Sequence, residues 1–137
     1  MPEYKEEQSI LAMLRIENAK EDCESAALEF GQAHYKAANN RAYYSIFHAI
    51  RAVLALESKD FKSHGQLLGY FNKNYIHKGK FDISLSKIIS NANGLRTDSD
   101  YNDFFIATAE ESENALEGAR TFLDAVTVYL ANELNGL

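Results

Sequence analysis

The stretch from Asn39 to Leu56 constrains the fold more than any other part of the sequence. It contains no Gly or Pro, and its second half is rich in Ala and Leu, which predicts an α-helix. From Tyr43 onward it is apolar on nearly every side. A helix that is apolar all round packs against neighbours on several faces. We therefore predict a central helix that begins at residue 36 or 37 and ends at residue 56 or 57.

The polar side chains on this helix are the first candidates for function. Arg41 and His48 are about 20° short of two full turns apart, so they share one stripe. Tyr44 and Ser45 lie between them on this stripe, and Arg51 follows one turn after His48. Burying charge is costly unless the charge is paired or lines a cavity. This stripe therefore predicts a site in which arginine holds a phosphate beside a histidine acid or base.

Hydrophobic periodicity predicts helices on both sides of the central one. A long first helix is expected from Glu6 to Phe30, with Gly31 as its stop. After the central helix, Ser63 and Gln66 form a capping box that opens a third helix, which runs to about Ile76.

The fourth helix is expected to be short. Asp82 or Ser84 caps its start, and Asn93-Gly94 weakens it near its end. The polar segment from Arg96 to Asp103 then predicts a loop. We expect the apolar residues 104–106 to anchor that loop to the core.

The last helix completes an all-α fold. Thr108 and Glu111 form a second capping box at its start, and Asn135-Gly136 ends it. Nowhere does the sequence show the two-residue alternation of a half-buried strand. We predict an up-and-down helical bundle of about five helices, three long and two shorter, in a single domain over residues 1–137.

Composition argues against several classes of function. The net charge of −6 argues against a general nucleic-acid coat, and the lack of a basic recognition helix argues against DNA binding. No apolar run approaches a membrane span, and the lone Cys23 fits a reducing compartment, so we expect a cytoplasmic protein without membrane contact. We expect no metal and no cofactor, because the chain has no Glu-x-x-His, Walker A or Gly-x-Gly-x-x-Gly motif.

Three blocks of the sequence together resemble bacterial and archaeal HEPN domains. The block from Asn40 to Ala49, followed by a Leu- and Val-rich half, resembles their signature helix. Lys62-Ser63-His64 resembles the opening of the next helix, and the block from Leu95 to Tyr101 resembles the segment before the last long helix. The resemblance covers essentially the whole chain and implies an all-helical, HEPN-like bundle that forms a homodimer.

The resemblance also implies an activity and a partner. Many HEPN domains are metal-independent endoribonucleases, often toxins or phage-defence proteins, and their common partner is a minimal nucleotidyltransferase that acts as antitoxin. Active members use an Arg-x4–6-His motif that the dimer places in a shared RNA cleft, and Arg41 to His48 reads Arg-x6-His. We expect Arg41 to hold the phosphate charge and His48 to transfer protons. Tyr44 or Ser45 would orient His48 or bind a phosphate, and Arg51 would add charge.

A secondary site is expected near the predicted loop. Its candidates come from the second and third blocks of the resemblance: His64, Arg96, Asp98 and Tyr101. Each also has a structural interpretation, since His64 directly follows a helix cap and the other three can clamp the loop.

Structural roles are open for the main pair as well. Arg41 can pair with one of the loop carboxylates, Asp98, Asp100 or Asp103, and His48 can be a buried histidine bonded to a backbone carbonyl. The matching second hypothesis is a non-catalytic HEPN module that binds a nucleotide or supports a nucleotidyltransferase partner. The acidic charge favours the module, and the intact Arg-x6-His motif favours the nuclease.

Overall fold

The computed structural model describes residues 3–134, which form a bundle of helices. In chain order these are α1 (Glu6–Gly31), α2 (Tyr35–Ala55), α3 (His64–Phe71), α4 (Ser84–Tyr101) and α5 (Ala109–Glu133). α3 runs directly into one π-helical turn, Asn72–Ile76. Over residues 3–134 there is no β-strand. The predicted all-α bundle of about five helices is therefore confirmed.

The central position predicted for α2 is confirmed. α2 contacts α1, α3, α4 and α5, and it is the only helix of residues 3–134 with this set of neighbours. Its contact with α1 is the most extensive. The buried stripe of α1 is mostly small, with Ala12, Ala19 and Ala26 fully buried, so the two helices can approach closely.

Side chains bond backbone N–H groups at the starts of α3, α4 and α5, where the sequence predicts caps. Ser63 Oγ accepts a hydrogen bond from the backbone N–H of Gln66 at 3.1 Å. Thr108 and Glu111 bond each other's backbone N–H groups, as a capping box requires. Asp82 accepts from the backbone N–H of Ser84 at 3.1 Å. The predicted end of the last helix at 135–136 lies outside the described residues.

The loop predicted from Arg96 to Asp103 is wrong for most of its length, because α4 continues to Tyr101. The polar side chains there bond residues of other helices. Arg96 is buried against α2 and α3, and Asn39 of α2 donates to Ser99 at 3.2 Å. These tertiary contacts outweigh the low helix propensity of this polar segment.

The predicted anchor at residues 104–106 is also largely wrong. Phe104 is 94% exposed and Ile106 is 81% exposed, whereas Phe105 alone is half-buried against the core. Because α4 is longer than predicted, the connection to α5 is short and needs only one apolar contact. Within the described residues, no helix combines the length and the apolarity needed to cross a membrane.

Candidate functional site

Arg41 and His48 lie on either side of one carboxylate, that of Asp22 on α1. Nη1 of Arg41 donates to Oδ1 of Asp22 at 3.0 Å, and Nε2 of His48 lies 3.6 Å from the other oxygen. Arg41 and His48 lie two turns apart on the same side of α2, and this side faces Asp22 of α1. Arg41, Asp22 and His48 thus form one polar site, which we call the α1–α2 site.

Arg41 is held by three neighbours. Besides Asp22, its Nε and Nη2 donate to Oδ1 of Asn40 at 3.0 and 2.7 Å, and its guanidinium lies 5.3 Å from the ring centroid of Tyr44. The side chain is still 38% exposed. A cavity of about 480 Å³ opens beside it, lined by Lys36, Asn40, Asp100 and residues of α1. Arg41 therefore combines a fixed orientation with access to solvent.

His48 is the less exposed member of the pair, with 24% of its side chain accessible. Burial lowers its pKa below the ordinary 6.5; Asp22 opposes this, and Arg51, Arg41 and Arg15 add to it. The imidazole is therefore mainly neutral at pH 7. In residues 3–134, buried Nδ1 has no hydrogen-bond partner. Proton exchange with a ligand thus has to go through Nε2, the nitrogen beside Asp22.

The histidine of α3 belongs to a neighbouring aromatic cluster. The rings of Tyr43, Tyr44 and Phe47 surround His64, with the Phe47 and His64 centroids 4.3 Å apart. Tyr44 also contacts His48, at 6.1 Å between centroids. Tyr44 therefore lies between the α1–α2 site and His64, as a shared wall of both.

Arg96 closes this cluster from α4. Its Nη2 lies 3.3 Å from Nδ1 of His64, and its guanidinium lies 4.5 Å from the centroid of the Tyr43 ring. An arginine can only donate, so Nδ1 of His64 accepts and a neutral His64 carries its proton on Nε2. Burial and the charge of Arg96 both lower the pKa of His64.

A chain of polar contacts connects the two histidine sites. Asn40, which accepts from Arg41, donates to the carboxylate of Asp100 at 3.0 and 3.2 Å. Asp100 in turn lies 4.0 Å from Nη1 of Arg96. The predicted main and secondary sites are therefore parts of one surface, in which α4 contributes Arg96 and Asp100.

The expected direct pairing of Arg41 with a loop carboxylate does not occur. Its carboxylate partner is Asp22, and Asp100 reaches it only through Asn40. His48 likewise does not donate to a backbone carbonyl in the described structure. The structural interpretation was right that Arg41 is paired but wrong about its partner.

Three of the candidates, Ser45, Asp98 and Tyr101, lie away from the α1–α2 site. Ser45 is fully buried and donates to the backbone oxygen of Ala19 at 2.7 Å, so it joins α2 to α1 and does not orient His48. The expectation that Ser45 binds phosphate is thus contradicted, because i+4 spacing alone does not decide which face of a buried helix is polar. Asp98 is exposed, without a side-chain bond among residues 3–134. Tyr101 is exposed, 6.0 Å from the guanidinium of Arg96.

Arg51 lies in a second charged group one turn beyond His48. It donates to Oδ2 of Asp60 at 3.1 Å, and Arg15 of α1 lies 3.5 Å from the same oxygen. Arg15 also donates to the backbone oxygen of Arg51 at 3.0 Å. Arg51 thus adds positive charge near His48, as expected, but its own partner is Asp60.

Sequence reasoning missed Asp22, Arg15 and Asn40. Asp22 and Arg15 are on α1, and only the antiparallel pairing of α1 with α2 shows that they meet the stripe. One signal was available: both stand beside the apolar stripe of a helix whose charged residues otherwise face solvent. Across residues 3–134 no three His, Cys, Asp or Glu side chains are placed to hold a metal ion.

Comparison with known proteins supports the assignment that the motifs suggest. Two proteins of Methanocaldococcus jannaschii, each named "putative toxin", are 29% identical over 118 residues (86% of this chain, 80% of the relative) and 31% identical over 111 residues (81% and 82%). A "UPF0332 protein" of Thermotoga maritima is 28% identical over 108 residues (79% and 82%). A family model described as HEPN domain matches residues 12–129. This chain therefore belongs to the HEPN domain family.

Proposed function

We propose that this protein is a metal-independent endoribonuclease in which Arg41 and His48 act on the RNA backbone. The observation that carries the proposal is the placement of both side chains on one carboxylate, with Arg41 at 3.0 Å and Nε2 of His48 at 3.6 Å from Asp22. An arginine and a histidine that together bind one carboxylate can bind a phosphate with the same nitrogen atoms. In this arrangement Asp22 positions the pair in the free protein.

The chemistry needs no reagent beyond the RNA itself. The ribose 2′-oxygen loses its proton and attacks the adjacent phosphorus, the bond from phosphorus to the 5′-oxygen breaks, and the 5′-oxygen takes up a proton. Arg41 stabilises the charge that builds on the phosphoryl oxygens, and Nε2 of His48 transfers a proton. The products are a 2′,3′-cyclic phosphate and a 5′-hydroxyl.

A homodimer supplies what one protomer lacks. Each α1–α2 site has one histidine, His48, whereas the reaction needs a base at the 2′-oxygen and an acid at the 5′-oxygen. Two protomers that face one cleft bring two copies of His48, one for each role. The dimer belongs to the proposal, as does the assignment of residues 1–137 to one domain.

The biological setting is proposed from the relatives. Two of them carry the name "putative toxin", which supports a toxin-like role for this chain. We propose a cytoplasmic toxin or defence protein whose partner is a minimal nucleotidyltransferase acting as antitoxin. Co-purification of this chain with the product of a neighbouring nucleotidyltransferase gene tests the partner.

RNA cleavage in EDTA tests the activity. Wild type is compared with Arg41→Ala and His48→Ala, and with Arg120→Ala and His77→Ala as matched controls on exposed positions. The proposal predicts cleavage by wild type and both controls and at least about a hundredfold loss in the two site variants. Cleavage that persists in folded Arg41→Ala and His48→Ala protein would contradict it.

Two observations favour the non-catalytic module as second candidate. The guanidinium of Arg41 already has Asp22 and Asn40 as partners, and the chain carries a net charge of −6. Such a site can bind a nucleotide next to Arg41 without cutting RNA. Folded wild type that leaves varied RNAs intact but binds a nucleotide in calorimetry would support this candidate.

A further inference from the structure

A second anion-binding arrangement lies beyond His48, where α1 meets the connection between α2 and α3. Two guanidinium groups, of Arg15 and Arg51, lie 3.5 and 3.1 Å from one oxygen, Oδ2 of Asp60. The backbone N–H of Phe61 donates to the other oxygen at 2.9 Å. Two cations and an N–H group thus surround a single carboxylate, which is the donor set that also suits a phosphate group.

The charges at this place do not cancel. One carboxylate faces two arginines, and the side chain of Arg15 is only 12% exposed. Burial raises the pKa of Asp60, but the Phe61 N–H, Arg51 and Arg15 outweigh burial and hold it below its usual range. Arg51 and Arg15 also contribute to the lowered pKa of His48, so their positive charge extends to the α1–α2 site.

A cavity of about 340 Å³ opens at this arrangement and offers further donors. Lys5 and Lys59 line it, together with Arg15 and the polar side chains of Gln8 and Ser58. Its acids are Glu7 and Asp60. A phosphate that replaced the Asp60 carboxylate would therefore meet more cations than anions, in a chain whose overall charge is negative.

Ser58, which lines this cavity, has an unusual backbone conformation. Ser58 has a φ of 54°, in the left-handed region that non-glycine residues seldom occupy. Its Oγ accepts a hydrogen bond from Nε2 of Gln8 at 2.9 Å, which ties the connection to the start of α1. Strain of this kind persists where the surroundings fix it, and such places are often binding sites.

We propose that Arg15 and Arg51, with Lys5 and Lys59 beside them, form a second phosphate-binding site, which takes a backbone phosphate of RNA whose scissile phosphate lies at Arg41. Asp60 occupies this site in the free protein and leaves it when RNA binds. The inference rests on the proposed nuclease function, and it names the direction of the bound strand: from Arg41 past His48 toward the start of α1.

The test measures binding rather than cleavage, with a 2′-O-methyl RNA oligonucleotide that cannot be cut. Asp60→Asn removes the resident carboxylate, and Asp103→Asn is its control, with the same change of charge on an exposed connection. We expect about fivefold tighter binding for Asp60→Asn and less than half of that gain for Asp103→Asn. A gain of affinity cannot arise from a variant that fails to fold.

Lys59→Ala tests the opposite change, the removal of a positive charge from the site, and Lys87→Ala on α4 is its control. Lys59→Ala should weaken binding about fivefold and reduce the slope of log affinity against log salt by about 0.7, the value for one contact to a single strand. Equal behaviour of each variant and its control would overturn the inference. So would a response of the Asp60→Asn protein to inorganic phosphate but not to the oligonucleotide, since the site would then bind a free anion.

The two proposals fail separately. If RNA is cleaved but Asp60→Asn binds like Asp103→Asn, the second phosphate site is wrong and the nuclease stands. If RNA is not cleaved but the affinities change as expected, the protein binds RNA backbone at this site and the nuclease is wrong.

Discussion

At the scale of single residues, the fold adjusts the acid–base chemistry of His48 through its burial and its charged neighbours. Burial and three arginines disfavour the imidazolium, while Asp22 beside Nε2 favours it. The balance leaves the pKa of His48 below 6.5, so the neutral imidazole, which can accept a proton, predominates at pH 7. A pair of such histidines in a dimer could serve as acid and base together.

The role of Asp22 predicts a shift in pH dependence. Asp22→Asn removes the one nearby group that raises the pKa of His48, so this pKa should fall below its wild-type value. Titration of the His48 ring by NMR measures it, and the pH optimum of cleavage should move down with it. Asp103→Asn is the control. An unchanged His48 titration in Asp22→Asn would contradict the ion pair.

The lowered pKa values of His48 and His64 predict how the free energy of unfolding depends on pH. His48 and His64 both have pKa values below 6.5 in the folded protein, so the unfolded chain binds protons first as the pH falls. Stability is therefore full above about pH 6.5 and is lost as the pH drops from there toward the folded-state values. Urea unfolding between about pH 7.5 and 5 measures this loss.

Two pairs of histidine substitutions separate this effect from other causes of pH-dependent stability. Replacing both half-buried histidines, as His48→Gln with His64→Gln, should flatten the decline between about pH 6.5 and 5. The pair His34→Gln with His77→Gln changes exposed rings and should leave it in place. A decline that survives in the first double variant would have to come from other groups.

At the scale of elements, α4 best separates what sequence can and cannot predict. The caps at Ser63 and Thr108 and the apolar face of α2 are local patterns, and the structure agrees with them. The extension of α4 to Tyr101 depends on partners far away in the chain, such as Asn39 for Ser99. Local propensity gives no information on such contacts, so the segment looked like a loop.

The same distinction between local patterns and contacts distant in the chain applies to the candidate site. The stripe of Arg41 and His48 follows from a local spacing, so the sequence alone predicts it. Asp22 and Arg15 meet that stripe only through the pairing of α1 with α2, which no local pattern encodes. The sequence does not show that Ser45 points away from the site, because a helix buried on several faces can direct a hydroxyl toward a neighbouring backbone.

The regularity of α4 at Gly94, where the sequence predicts a weakened helix end, can be tested with two glycines. Gly94 lies inside α4, and an added Cβ would meet nothing within 4 Å, so Gly94→Ala should stabilise the protein by about 0.5–1 kcal/mol. Gly79 has equally open space but a φ of 80°, so Gly79→Ala should destabilise by about 1–2 kcal/mol. Denaturant unfolding compares the two. Destabilisation by Gly94→Ala would place that residue outside a regular helix.

At the scale of the whole molecule, the proposed dimer makes a quantitative prediction about mixed protomers. If one cleft needs His48 from both chains, an equal mixture of wild type and His48→Ala gives about one quarter wild-type dimers after the protomers exchange. Its activity should then be about one quarter of that of pure wild type at the same total protein concentration. Protomers that act alone would keep about one half. Cleavage rates at fixed total protein decide between them, with light scattering to confirm that all mixtures are dimers.

The proposed reaction, attack of the 2′-oxygen on phosphorus with the help of Arg41 and His48 and without a metal, leaves characteristic RNA ends. The most direct measurement is the analysis of RNA ends after incubation with wild type and His48→Ala in EDTA. The proposed reaction predicts 2′,3′-cyclic phosphate and 5′-hydroxyl ends from wild type alone, and none from an RNA that is 2′-O-methylated throughout. Cleavage of that RNA, ends of another kind, or equal cleavage by His48→Ala would contradict it.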